Sequence, residues 1–420
     1  MRRFLKDISA EDFDKFNISV NSNHYVKMSG YGQFKTLDGF KYHLVAIEED
    51  GVIIATALVL IKKIPYLFCN YCYIPYGYNL DYNNQNLISF FNENIKIFSQ
   101  ELNACFVRVD PNFCRLQHEK DGTITENGFD NQWFKDLMIK DGFMHLGYNY
   151  GYSGNWLSRF SYVLDLSADI DKIKKGIKNF NNHDRKNKMR AINVYEASKE
   201  DLAILYQLQL ELAQKERFVP KPLSYFQQLY DSFKDNVYLY IAKADLKMCY
   251  QNLQEERNRL EDQITQLTNA NRIKELNSTI EVLDNEIKIM KDKGYDEVSE
   301  ITLGAKLIIQ ISDKVFNVYM YTHKFLPNFR TALALHTKTL EDSKKRNALS
   351  YDFEGVSGSL DPKDAYYGIH DFKRSFGGDF VEYFGEFDLV LDERRYLLFK
   401  KFDRLIKRYR RKLYLLFKGW

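Results

Sequence analysis

The sequence predicts a mixed α/β (α+β) protein split by an antiparallel two-helix coiled coil. Three observations carry this prediction. Short β-branched and aromatic runs alternate with helical periodicities on both sides of residue 246. Two heptad seams follow one another between residues 246 and 290. A basic amphipathic stretch then runs from 394 to 420. With 420 residues, 45% of them hydrophobic, the chain is long enough for more than one core.

Taken in order, Ser9-Ala10-Glu11-Asp12 reads as a capping box opening a first helix. Residues 42–48 and 52–61 read as paired strands joined at Glu49-Asp50-Gly51. Helical periodicity at 85–102 precedes a strand at 104–109, which Pro111 stops. The same alternation returns as a strand at 160–166, helices at 171–180 and 199–216, and a strand at 236–242. It resumes with strands at 301–311 and 316–321, a helix at 332–345, and strands at 351–353 and 380–391.

Between them, Leu246, Tyr250, Leu253, Arg257, Leu260, Ile264 and Leu267 fall at spacings of four and three, as do Ile273, Leu276, Ile280, Leu283, Ile287 and Met290. Only Thr268–Arg272 separates the two seams, so the helices must fold back on each other. The expected organisation is a first domain at 1–155, a second at 156–245 and 297–393, an arm at 246–296, and a terminal helix at 394–420.

The net charge of +3 hides an asymmetry. Residues 394–420 hold eleven Lys/Arg and one acid, Asp403, which is +10 and leaves −7 for residues 1–393. Leu398, Phe402, Leu405, Tyr409, Leu413, Leu416 and Trp420 mark one face of this stretch, and Arg404, Lys407, Arg408, Arg411, Lys412 and Lys418 lie mostly on the other. Such a helix suits an anionic bilayer surface, nucleic acid being the alternative. No apolar run is long enough to span a bilayer, and no secretory leader opens the chain, which places the expected protein in the cytoplasm.

The five cysteines form no disulfide pattern, and Cys69-x-x-Cys72 lacks the second ligand pair of a zinc site. Phosphate-loop, dinucleotide, H-E-x-x-H and G-x-S-x-G motifs are missing. Arg374-Ser375-Phe376-Gly377-Gly378-Asp379 approaches the R-x-x-G-x-[GA] pyrophosphate loop of acetyl-CoA-dependent acyltransferases, but Asp379 would repel phosphate.

Around that loop, Tyr351-Asp352-Phe353-Glu354-Gly355, then Gly368-Ile369-His370-Asp371-Phe372-Lys373, then Glu382-Tyr383-Phe384-Gly385-Glu386-Phe387-Asp388 resemble the C-terminal signature of the FemABX family of peptidoglycan-branching aminoacyltransferases. Val107-Arg108-Val109-Asp110-Pro111, residues 30–35 and residues 214–226 (QKERFVPKPLSYF) resemble the family's earlier segments in the right order. Tyr76 and Tyr78 stand where the family usually has the Arg and Pro of an R-G-P core.

The resemblance implies two GNAT-like domains with a helical arm in the second. It implies transfer of Ser, Ala or Gly from aminoacyl-tRNA to the stem-peptide amine of lipid II, the basic tail favouring the MurM-like branch at the inner membrane face. By motif position, Lys373 would meet the oxyanion or the terminal ribose of the tRNA, with Phe372 walling the pocket. Lys35 and Arg217, with Lys215 nearby, would hold the precursor's diphosphate, and Tyr319 or Tyr321 would contact the precursor. Asp110 is the acid to consider as general base, structural capping being its other reading, and His323 would line the pocket. An aminoacyl ester is already activated, so neither cofactor nor metal is expected. The alternatives are an acyl-CoA-dependent N-acyltransferase on the same fold, or a non-catalytic scaffold using the arm.

Overall fold

In the computed structural model, residues 1–20, 23–152, 156–323 and 328–417 are described, the last helix without the side chains of residues 404, 407, 410, 411 and 415–417. Fourteen strands are defined among them: β1 (Arg2–Leu5), β2 (Lys41–Glu49), β3 (Val52–Ile64), β4 (Cys69–Ile74), β5 (Ala104–Val109), β6 (Phe143–His145), β7 (Phe160–Asp165), β8 (Ile192–Ala197), β9 (Val237–Ala244), β10 (Ile301–Ile311), β11 (Lys314–Thr322), β12 (Ser350–Asp352), β13 (Asp379–Glu382) and β14 (Phe387–Val390). They form two seven-stranded sheets, β1-β2-β3-β4-β5-β14-β6 and β8-β9-β10-β11-β12-β7-β13.

The two sheets repeat one plan. Each has one parallel pair, β4 with β5 and β11 with β12, and every other pairing is antiparallel. A parallel pair needs a crossover, and helices Gln85–Glu101 and Thr331–Lys345 supply it. The sixth position of the first sheet is filled from the far end of the chain, by β14, whereas the second sheet takes β7 to β13 in one unbroken run. The chain leaves β6 and enters the second sheet as β7; it leaves β13 and enters the first as β14.

The expectation of one strand over 380–391 is therefore corrected. Gly385, at φ +85°, turns the chain between two strands that belong to different sheets, so the boundary drawn at 393 does not hold for Phe387–Val390. The return of β14 is fixed by buried charge. Arg108 binds Asp388 of β14 through two bonds of 2.8 Å, and Tyr396 donates to the same carboxylate. Where the crossing segments meet, Glu382 accepts from Arg115, Arg159 and His118 at 2.6–3.0 Å. Burial works against the charge on Glu382, but these donors hold its carboxyl down at about 2.

The arm leaves the second sheet between β9 and β10 as helices Leu246–Thr265 and Ala270–Asp292. Asn269 caps the second helix by accepting from the N–H groups of Asn271 and Arg272. Leu253, Leu260, Leu276, Ile280, Leu283 and Met290 are buried along the expected seam, and Arg257 crosses it to Asp284 at 2.7 Å. The helix expected at 171–180 is two, Ile170–Gly176 and Phe180–Met189, broken where Asn179 takes φ +57°.

Helix Glu393–Phe417 docks on the first sheet through Tyr396 and Phe399, which pack with Phe106. Beyond that contact, Leu398, Phe402, Leu405, Tyr409 and Leu413 stay exposed, as do Arg408 and Lys412. Trp420 and Lys418 lie outside the described residues, as do the side chains of Arg404, Lys407 and Arg411.

Candidate active site

Two clusters of charge face each other where the halves meet. The first gathers around Asp38. Helix Ser29–Lys35 ends on Lys35, whose Nζ pairs with Asp38 and lies 5.4–5.9 Å from the rings of Tyr31, Phe34 and Phe40. Lys62 sits 4.7 Å over Phe40, and Lys221 4.6 Å over Tyr225. Burial raises the Asp38 carboxyl, but Lys35, Lys221 and Lys62 together bring it below its usual range. Three lysines around one carboxylate leave a surplus of positive charge, which suits phosphate.

Gln209 fixes the Lys221 loop by bonding both its N–H and its C=O. Tyr319 bonds Tyr225 hydroxyl to hydroxyl at 2.9 Å, and Tyr321 lies 3.5 Å from Gln209. Arg217 ends helix Leu202–Glu216 in a left-handed conformation, φ +53°, and both it and Lys215 are exposed. Lys62 and Lys221 were not singled out in the sequence. Each stands alone there and meets Asp38 only in the fold.

The second cluster lies where β11 and β12 part. Their ladder ends at Phe316 opposite Asp352, after which the strands diverge. Asp352 Oδ1 accepts from the N–H of Glu354 at 2.7 Å, which bends Glu354 into φ +60°. On helix Tyr367–Arg374, Lys373 turns back and donates to the carbonyls of Glu354 and Gly355 at 2.7 and 2.8 Å. Burial draws the Lys373 ammonium down to about 8, against the opposing pull of Glu354 and Asp352. Burial likewise pushes Glu354 up to about 7, and Asp352 to about 6 with help from the Glu354 charge.

His24 arrives from the first half, 4.5 Å from the Tyr76 ring and 4.1 Å from Phe316. Its Nε2 is 3.2 Å from Glu354 Oε1. Tyr319 joins the two clusters: burial raises its hydroxyl, and the charges of Asp38 and Glu354 both add to the effect.

Near Lys373 lies a buried polar cluster. Lys306, fully buried, bonds His336 Nδ1 at 2.6 Å and Thr339 Oγ1 at 3.0 Å. Burial, then the Lys373 charge, pushes Lys306 far below its usual value. Phe372 packs 5.6 Å from His336 and 5.3 Å from Phe376, so it walls the base of this region.

Asp110 is spoken for: it accepts from the Tyr73 hydroxyl and the Tyr76 N–H, each at 2.8 Å. These bonds pin the left-handed turn at Tyr76, φ +53°. The amine at that loop is Lys27, whose Nζ donates to Tyr78 O at 2.8 Å and Asn112 Oδ1 at 3.0 Å and which burial pushes well below its usual value.

His323, expected to line the pocket, is instead exposed beside Glu211 at 3.9 Å. The near-match to a pyrophosphate loop has another use. A Cβ on Gly378 would lie 2.9 Å from Val163 O, so that glycine lets β13 close on β7. Cys69 and Cys72 belong to different core clusters on opposite faces of β4, which separates them as ligands. No group of His, Cys, Asp and Glu among the described residues could hold a metal ion.

The arrangement suits attack of an amine on an activated carbonyl. A fixed ammonium, Lys373, is held at the turn that follows β12, and a cation so held can stabilise an oxyanion. Carboxylates with raised values stand beside it, and the three-lysine cluster provides a distant anchor for an anionic substrate.

Comparisons with known proteins agree with this picture. The model of the FemAB family matches residues 8–404. Aminoacyltransferase FemA of Staphylococcus epidermidis is 24% identical over 96% of this chain and 99% of its own length. Lipid II:glycine glycyltransferase of Staphylococcus haemolyticus is 26% identical over 94% of each. Among solved structures, FemX superposes with a TM-score of 0.73 at 21% identity, covering 94% of this chain and 99% of that one. The fold is therefore the expected mixed α/β arrangement, in two halves of one plan.

Proposed function

This chain belongs to the FemAB family, and from that premise we propose that it is an aminoacyltransferase acting on the stem-peptide amine of lipid II, with aminoacyl-tRNA as donor and a small amino acid, glycine, serine or alanine, as the transferred group. The observation that carries the reading is Lys373, an ammonium clamped by two carbonyls at the opening of the second sheet. Relatives that bear the name lipid II:glycine glycyltransferase support the acceptor. The Lys35, Lys62 and Lys221 cluster gives the acceptor's diphosphate a partner, with Tyr319 lying between it and Lys373. The test is transfer of a labelled amino acid to purified lipid II from a panel of charged tRNAs. We expect one or a few small amino acids to be accepted; no transfer from any charged tRNA overturns the reading.

A lipid-linked acceptor places the enzyme at the inner membrane surface. No described helix is long and apolar enough to cross a membrane. The exposed Leu398, Phe402, Leu405, Tyr409 and Leu413 beside Arg408 and Lys412 support peripheral binding instead. Removing residues 404–420, which spares the docked Tyr396 and Phe399, should weaken sedimentation with anionic vesicles, most at low salt. Unchanged sedimentation rejects this.

A further inference from the structure

We propose that Glu354 is the general base that takes the proton from the acceptor ammonium, with His24 positioning its carboxylate. This deepens the reading above and rests on it.

The argument is geometric. Glu354 is a non-glycine residue held at φ +60°, a strained conformation that gathers at functional sites. Asp352 imposes it through the 2.7 Å bond to the Glu354 N–H, and the result turns the side chain toward the meeting point of the two halves. There, Glu354 Oε1 is buried and has no hydrogen-bond partner among the described residues. Its nearest neighbour is His24 Nε2, also buried and without a bond. His24 Nδ1 accepts from the Val26 N–H, which assigns the ring proton to Nε2, the nitrogen 3.2 Å from the carboxylate. Burial drives His24 down to about 3, so it stands beside Glu354 as a neutral ring and not as a competing charge.

The groups facing Glu354 are His24, Tyr25 and Tyr31 from the N-terminal segment, Tyr76 from the loop after β4, Tyr319 from β11, Tyr383 from the crossing segment, Lys373 from its helix and Asp352 from its own strand. Lys373 is the only one of these that is charged and positive near neutrality. It keeps Glu354 available as a carboxylate while itself facing the carbonyl.

A stem-peptide amine of the lysine type has a pKa of about 10.4 and is almost wholly protonated at neutral pH. Glu354 takes one proton from that ammonium and passes it to solvent. The freed lone pair forms the N–C bond at the ester carbonyl, Lys373 faces the oxyanion, and the C–O bond to the ribose then breaks. The second proton leaves the nitrogen for the departing ribose oxygen, so the step yields an amide, a ribose hydroxyl and one released proton.

The experiment compares wild type with Glu354→Gln over a pH series, using lipid II and, separately, hydroxylamine as acceptor. Hydroxylamine is already unprotonated at neutral pH and needs no base. We expect Glu354→Gln to lose about 10²–10⁴-fold in transfer to lipid II, with partial recovery as pH rises. Transfer to hydroxylamine, above the enzyme-free rate, should change only a few-fold. If Glu354→Gln does not fold, Glu354→Asp replaces it and should be slower yet keep the rising pH limb. An unchanged pH profile in Glu354→Gln, equal loss with both acceptors, or a Glu354→Asp profile without the limb overturns the assignment while wild-type transfer leaves the functional reading intact. A wild-type enzyme that transfers nothing to lipid II overturns both.

Discussion

The two halves share a strand order and a crossover helix, and each ends its crossover strand on a carboxylate. Asp110 follows β5 in the first half; Glu354 stands two residues past β12 in the second. Burial pushes both upward. Their hydrogen bonds separate them. Asp110 is filled on both oxygens by Tyr73 and Tyr76, whereas Glu354 Oε1 has none. A carboxylate just past the crossover strand is a turn clamp in one half and an open acid in the other. Buried polar groups are normally paired, so an unpaired one beside a perturbed lysine marks where chemistry is arranged.

The largest effect should come from the residue that ties the halves together. Glu382→Gln leaves Arg115 and Arg159 buried without their shared carboxylate, and breaking such a pairing costs about 3–5 kcal/mol. Denaturant melts should show this loss. The sign with pH follows from the depressed value. Glu382 contributes stability that is fully present above its unfolded value of 4.5 and is lost as pH falls toward about 2. The variant's stability should therefore vary less than the wild type's across that window; an equal acid slope would remove Glu382 from the link.

Next is Lys373→Ala, which removes the cation from the open half only. Loss of one oxyanion donor costs about 10²–10³ in kcat. In wild type, kcat/KM should rise as Glu354 ionises near 7 and fall as Lys373 loses its proton near 8, giving a narrow bell. Lys373→Arg should extend the alkaline side, because a guanidinium keeps its charge. An alkaline limb that stays in place in Lys373→Arg would assign that limb to another group.

How much of this was visible beforehand depends on whether the signal is local. The helical hairpin was, because its heptads lie in one stretch and its turn in five residues. So were the strands and Lys373, which sits in a motif. The return of β14 to the first sheet was not. Residues 380–391 read as one apolar run, and alternation says which face is buried but not which sheet receives it. Glu354 sits within the motif at 351–355, but its place in the site depends on His24, 330 residues away, and on a backbone turn that Asp352 imposes. The available signal was a strand-end acid followed by glycine, the counterpart of Asp110-Pro111. The lysine cluster was hidden for a similar reason: Lys35, Lys62 and Lys221 come from distant segments and meet around Asp38 only in the fold.

The smallest effect should be Asp110→Asn, and it tests the comparison most directly. Burial and the nearby Glu386 charge push the Asp110 carboxyl well up, so the uncharged form is favoured and asparagine resembles it in shape. The amide oxygen can still accept from the Tyr76 N–H, and the amide nitrogen can donate to the Tyr73 hydroxyl oxygen. One hydrogen bond is remade with its direction reversed, a change of about 1 kcal/mol in stability. Transfer to lipid II should stay within a few-fold of wild type, and the rising limb near 7 should remain, because that limb belongs to Glu354. If Asp110→Asn instead abolishes the limb, the two carboxylates have traded roles, and hydrogen-bond saturation is the wrong guide to which half carries the base.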